Sequence, residues 1–292
     1  MIFIVLCILV NTALILVFRL FPRFNIDSFQ AIVANYFTAS FLGFQLAEQQ
    51  FSFDFILHQP WTFYSIILGL LFVSLFYLIS LTTVTFGVSV ASVANKMSIV
   101  IPVMVAVILY NDALTQMQVA GVLIAIGAVM MVSYKKSSDQ SLSISKQWHY
   151  ALPVILFLGC GSIDALIGYL QLKFTSPQLS NEFILSTAFL FAALAGTTAY
   201  LILILSKKIT YHRKSVLIGL LLGIPNFFSM YLVMKSLESG ILNSSTFFPV
   251  NNMSIVVLGT CVSILVFKER LSKLNQLGIV LSILAIILIA FM

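Results

Sequence analysis

The sequence predicts an all-α integral membrane protein, with ten transmembrane helices arranged as two inverted five-helix repeats. Three observations predict this. Of 292 residues, 61% are hydrophobic and only 8% are charged. Apolar runs of bilayer-spanning length follow one another along the whole chain. Short polar signatures of the first half recur in the second at nearly constant spacing.

Composition excludes a soluble globular protein. Soluble domains carry about 25% charged residues. Here 15 Lys and Arg and 9 Asp and Glu must serve 32.3 kDa, and the mean hydropathy is +1.10. A net charge of +6 does not point to nucleic acid, because the basic residues cluster at the ends of apolar runs.

A spanning helix takes ~20 apolar residues, and backbone groups in lipid must be bonded within the segment. The ten segments read as Ile2–Phe21, Ser28–Ala47, Thr62–Thr82, Gly87–Leu109, Gln116–Tyr134, Tyr150–Leu172, Ser180–Leu205, Ser215–Lys235, Asn243–Phe267 and Lys273–Phe291. Runs such as Leu277–Phe291 lack the polar–apolar alternation of barrel strands. The first run has neither a basic leader nor a small-residue cleavage site, so it reads as a spanning helix rather than a signal peptide. The most polar stretch, Lys135–His149, divides the chain into residues 1–140 and 141–292, five segments each.

Twelve of the basic residues fall after segments one, five, seven and nine, whereas loops after even-numbered segments hold only Lys173 and Lys235. The positive-inside bias therefore places the odd loops in the cytoplasm and both termini outside. The expected location is the plasma (inner) membrane, multi-pass, with the lipid bilayer as surroundings. Cys7, Cys160 and Cys261 lie far apart within apolar runs. They have no disulfide or zinc spacing and are expected to be buried small hydrophobes. No metal and no cofactor is expected.

Asn95-Lys96-Met97-Ser98-Ile99-Val100 recurs as Asn251-Asn252-Met253-Ser254-Ile255-Val256, 156 residues later. Asp112, Leu114, Thr115, Gln118 and Gly121 match Glu269, Leu271, Ser272, Asn275 and Gly278, 157 later. Cys7 and Asn11 match Cys160 and Asp164, 153 later. Five helices per repeat turn the second copy over in the membrane. Thr115 and Gln118 form a capping-box pattern, which Ser272 repeats at segment ten. Asp112 and Glu269 read as acids suited to the helix dipole at the first turn of segments five and ten. Gly121-x-x-x-Ala125 and Gly278-x-x-x-Ser282 are small-residue seams for close helix approach, within a monomer or in a homodimer.

Two charges lie far from any segment end. A lysine at a helix centre costs ~2.5–3.5 kcal/mol to insert, and Lys96 sits well inside segment four. Asp164 sits near the middle of segment six. Intramembrane charges usually pair, so the two either form a structural bridge or a pair that substrate or a proton breaks. In the repeat, Lys96 maps to Asn252 and Asp164 to Asn11. Asn11, Lys96, Asp164 and Asn252 therefore form the predicted central-cavity set. Asn95, Ser98, Asn251 and Ser254 flank it, lining the cavity or bonding across helices. Pro225-Asn226 and Pro249 are expected to break segments eight and nine. Asn35-Tyr36 is a further polar position in segment two.

The pattern acid–x–Leu–Ser/Thr–x–x–Gln/Asn–x–x–Gly in both halves, with ten segments, a five-segment repeat and Pro102 before the first copy, resembles the drug/metabolite transporter superfamily, EamA-like branch. Asp112 stands where that family usually has Glu, and the second half lacks the matching proline. The resemblance covers the whole chain. It implies a secondary transporter, an exporter or exchanger by alternating access, for a small polar metabolite. Lys96 favours an anionic or zwitterionic substrate such as an amino acid. Coupling stays open between a proton at Asp164 and facilitated exchange. No G-x-x-x-x-G-K-S/T loop occurs to bind ATP. An intramembrane enzyme is not expected: H-E-x-x-H and G-x-S-x-G do not occur, and His58, His149 and His212 all fall in loops. The other alternative is a membrane interaction or scaffold protein, which would not need polar residues at matching depth in both halves.

Overall fold

The computed structural model describes residues 2–47, 49–110, 115–133, 151–174, 179–207, 209–241, 244–269 and 271–291. Among them the ordered elements are helices, with no strand: α1 (Ile2–Leu20), α2 (Ser28–Leu46), α3 (Phe53–Leu57), α4 (Thr62–Phe86), α5 (Val88–Met97), α6 (Val100–Tyr110), α7 (Gln116–Ser133), α8 (Leu152–Phe174), α9 (Asn181–Leu205), α10 (Arg213–Glu238), α11 (Ser244–Leu265) and α12 (Lys273–Phe291). The polar linker at 134–150, Asp112, Glu48 and Arg270 lie outside the described residues. So does the expected division at 140/141.

Six stretches are long and apolar enough to cross a membrane: α1, α4, Val88–Val105, α8, α9 and α10. The apolar parts of α7, α11 and α12 are shorter. The 19-residue α2 carries Gln30, Asn35, Ser40 and Gln45 and is the more polar for it. The outer surface is apolar, with Leu123 65% and Met130 63% exposed on α7 alone. Such a surface belongs in lipid.

Two expectations fail. Segment four is one span, Val88–Val105, as expected, but it carries an irregular turn where α5 ends at Met97 and α6 begins at Val100. Pro102 has no N–H for the Ser98 carbonyl, which instead accepts from the Ile101 N–H at 2.9 Å in a tighter turn. Conversely, α10 runs unbroken through Pro225, and α11 runs through Pro249. A proline removes one backbone bond, and neighbouring helices can hold the rest of the turn in place. Cys261 is exposed rather than buried, because it lies on the side of α11 that also exposes Val257, Ile264 and Leu265.

The chain forms two compact units, and each draws on both sequence halves. The first comprises Met1–Arg19, Leu78–Asp164 and Leu232–Met292; the second comprises Leu20–Tyr77 and Ala165–Tyr231.

In the first unit α7 and α12 pack antiparallel through a reciprocal seam. A Cβ on Gly121 would stand 2.8 Å from Ile289, and one on Gly278 would stand 2.9 Å from Val132. Gln118 Nε2 donates to the Ile289 carbonyl at 3.4 Å, and Asn275 Nδ2 donates to the Val132 carbonyl at 2.7 Å. Every residue on one side of this exchange is 157 positions from its counterpart. The Thr115 and Gln118 caps bond reciprocally at 3.0 and 3.2 Å, and Ser272 Oγ accepts from the Asn275 N–H at 3.1 Å.

The second unit repeats the device. Gly43 of α2 lies against Ser186 of α9, and Gly196 of α9 lies against Val33 of α2, an exchange spaced by 153 residues. Gly69 of α4 meets the Ala188 carbonyl, and Gly223 of α10 meets the Asn35 carbonyl. At these positions only a hydrogen lets the backbones approach so closely. Tyr36 fills the interior beside Phe72, Phe76 and Phe189 and donates its hydroxyl to the Phe72 carbonyl at 2.9 Å.

Candidate functional site

All eight residues singled out from the sequence fall in the first unit. They sit on α1 (Asn11), on α5 and its end (Asn95, Lys96, Ser98), on α8 (Asp164) and on α11 (Asn251, Asn252, Ser254). Lys96 precedes the α5–α6 interruption by one turn or less. At this turn the Ser98 carbonyl accepts from the Ile101 N–H at 2.9 Å and the Ile99 carbonyl from the Val103 N–H at 3.3 Å.

Two small clusters form. On one side Ser98 Oγ donates to the Asn95 carbonyl and lies 3.4 Å from Asp164 Oδ2. On the other, the Cys7 thiol donates to Asn251 Oδ1 at 3.5 Å, and Asn11 Nδ2 donates to the Cys7 carbonyl one turn back at 3.0 Å. Lys96 lies two residues before Ser98, at the same end of α5. Asn251, almost fully buried at 4%, thus bonds across helices.

Lys96 and Asp164 are not in ion-pair contact. The ion pairs among the described residues are Arg19–Glu269 and His58–Asp54. Asp164 is exposed and Lys96 half-buried, and the contact of the Asp164 carboxylate is with Ser98, two residues from Lys96. Asn252 and Ser254, both half-buried, have no hydrogen-bond partner among the described residues. Such a set offers a cation, a carboxylate and several amides to a small polar molecule. No group of three or more His, Cys, Asp or Glu suited to a metal ion occurs among the described residues.

Sequence reading missed two features. Cys7 serves as the hydrogen-bond link between Asn11 and Asn251, and its place in the repeat opposite Cys160 was the available signal. Glu269 was expected at the first turn of segment ten, but α12 begins only at Lys273. Its carboxylate accepts instead from the Val88 N–H of α5 at 3.0 Å and pairs with Arg19 at 3.5 Å. The unexpected partner is a helix start 181 residues away in sequence. Asn35, by contrast, lies in the second unit. It is fully buried, with neither amide atom hydrogen-bonded.

No family model matches the chain. A protein of Haemophilus influenzae, described as uncharacterized, is 30% identical over 291 residues, which span 98% of this chain and 95% of that one. A solved crystal structure superimposes with a TM-score of 0.57 at 15% identity, covering 97% of this chain and 96% of the other. That likeness is one of fold.

Proposed function

The chain belongs to the family of this Haemophilus influenzae protein, and we propose that its members of this architecture are secondary transporters for a small polar metabolite, working by alternating access. The observation that carries this reading is the interrupted α5–α6 segment. It sets Ser98, two residues from Lys96, 3.4 Å from the Asp164 carboxylate, and Lys96 and Asp164 make no ion pair. Transporters that work this way hold substrate at discontinuous helices near the midplane. A membrane scaffold needs no unneutralised opposite charges at such a break, given what they cost in lipid.

The reciprocal seams support ten spans arranged as an inverted repeat. Exchanges spaced by 157 residues in one unit and by 153 in the other are what a pseudo-two-fold axis produces. On this reading the protein is a multi-pass protein of the inner membrane and a member of the drug/metabolite transporter superfamily, EamA-like branch. It exchanges or exports its substrate without ATP. Lys96 takes a carboxylate or other anionic group and Asp164 an ammonium or a proton. Amino acids and related zwitterions fit that pair. Asn11, Asn252 and Ser254 supply neutral hydrogen bonds around them.

The test is counterflow into proteoliposomes that hold purified protein and an unlabelled pool of amino acids, sugars and organic acids. Saturable uptake of one labelled class is expected. Absence of uptake for every class, in protein shown to be folded, would count against transport.

A further inference from the structure

We propose that Arg19 and Glu269 form a charge clamp on the N-terminal end of α5, and that α5 is a rod that swings when this clamp opens. α5 is only ten residues long, with Gly87 at one end and an irregular helical turn at the other. Before it, Gly87 adopts φ 99°, a conformation that side chains other than hydrogen resist. After it comes the Ser98–Ile99 interruption. The rod between these joints carries Asn95 and Lys96.

The clamp sits on the first joint and complements both helix ends there. Arg19 Nη1 donates to the Val84 carbonyl at 2.8 Å and to the Thr83 carbonyl at 3.4 Å, at the C-terminal end of α4. Glu269 Oε1 accepts from Val88 at the N-terminal end of α5. A cation on a helix C-terminus and an anion on an N-terminus are each favourable. Gly87 also makes room, because a Cβ there would stand 2.7 Å from the Glu269 carboxylate. Four chain segments meet at this point: the end of α1, the end of α4, the start of α5 and the stretch between α11 and α12.

The bonding suits a contact that opens. Glu269 uses one oxygen for both partners, and Oε2 is buried without any. A fully satisfied buried pair is costly to break, whereas this pair is held at 3.5 Å through a single atom. Opening it frees α5 to turn about Gly87 and so to carry Lys96 with it. The motion would open the buried cluster in which Val88 and Ala91 of α5 meet Ile15 of α1 and Ile255 of α11. The transport reading above supplies the purpose of the clamp, but the test does not measure transport.

The test reads the accessibility of Cys7, which is fully buried and bonded to Asn251 of α11, the helix that α5 packs on, in full-length protein whose Cys160 and Cys261 are replaced by Ser. Glu269→Gln keeps an oxygen for the Val88 N–H and removes the charge. A small maleimide is expected to label Cys7 about tenfold faster in this variant, equivalent to ~1.4 kcal/mol. The double variant Arg19→Gln/Glu269→Gln is expected to label as fast, with elution profile and thermal midpoint near those of the parent. Should Glu269→Gln fail to fold, Gly87→Ala displaces the carboxylate without altering charge and is expected to give the same acceleration. Labelling at the parental rate in folded Glu269→Gln, or a return to that rate in the double variant, would overturn the clamp. Faster labelling in a protein that moves no solute would leave the clamp standing and remove the transport reading. Saturable counterflow with unaltered labelling would do the reverse.

Discussion

The Asn275 carboxamide donates to the Val132 carbonyl at 2.7 Å, tying the start of α12 to the end of α7. Gln118 and Ile289 make the same contact at the other end of the seam, at 3.4 Å. The glycines one turn further along, Gly121 and Gly278, face Ile289 and Val132 in turn. Valine at either glycine overpacks the seam. Each substitution is expected to destabilise the protein by ~1–3 kcal/mol, and the two costs should be similar because the contacts are reciprocal. Thermal unfolding in detergent measures this. A tolerated valine at one position and a severe loss at the other would contradict the reciprocity.

Pro102 holds the interruption between α5 and α6 open. Pro102→Ala supplies the missing N–H to the Ser98 carbonyl and lets the helix continue. The expected outcome is slower amide hydrogen exchange at 99–103, a higher thermal midpoint and lower counterflow. Increased protection with undiminished counterflow would show that the interruption has no part in transport.

Asn35 is fully buried with both amide atoms unbonded. Leaving buried polar groups unsatisfied costs about 1–3 kcal/mol. Asn35→Leu, nearly the same in shape, is therefore expected to raise stability by ~1 kcal/mol or more and to leave counterflow unchanged. A lower thermal midpoint, or lost counterflow in stable protein, would mean that the amide has a partner in another state of the protein.

Much of this was legible in the sequence, and the reasons are local. The α12 range Lys273–Phe291 is the one read from the sequence, because Ser272 and Asn275 cap its start and its apolar run is uninterrupted. The Thr115–Gln118 box formed for the same reason. Repeat spacing brought out Asn11, Lys96, Asp164 and Asn252, all of which lie in one unit. The rest depended on distant neighbours. Pro102 interrupts its segment and Pro225 does not, although the residue type is the same. Glu269 and Val88 are 181 residues apart, and no local pattern links an acid to a helix start at that distance. The compact units each gather helices from both sequence halves. Packing between distant segments decides which helices share a core.

The central claim is that Lys96 and Asp164 face a transported solute as two separate charges. The most direct measurement is counterflow of the identified solute class in wild-type protein, Lys96→Ala and Asp164→Asn, run side by side across pH in equally reconstituted vesicles. Saturable exchange is expected in the wild type, with loss of at least ~10-fold in each variant, the scale of a removed charged contact. Exchange in Lys96→Ala and Asp164→Asn at wild-type rates over the whole pH range would contradict it.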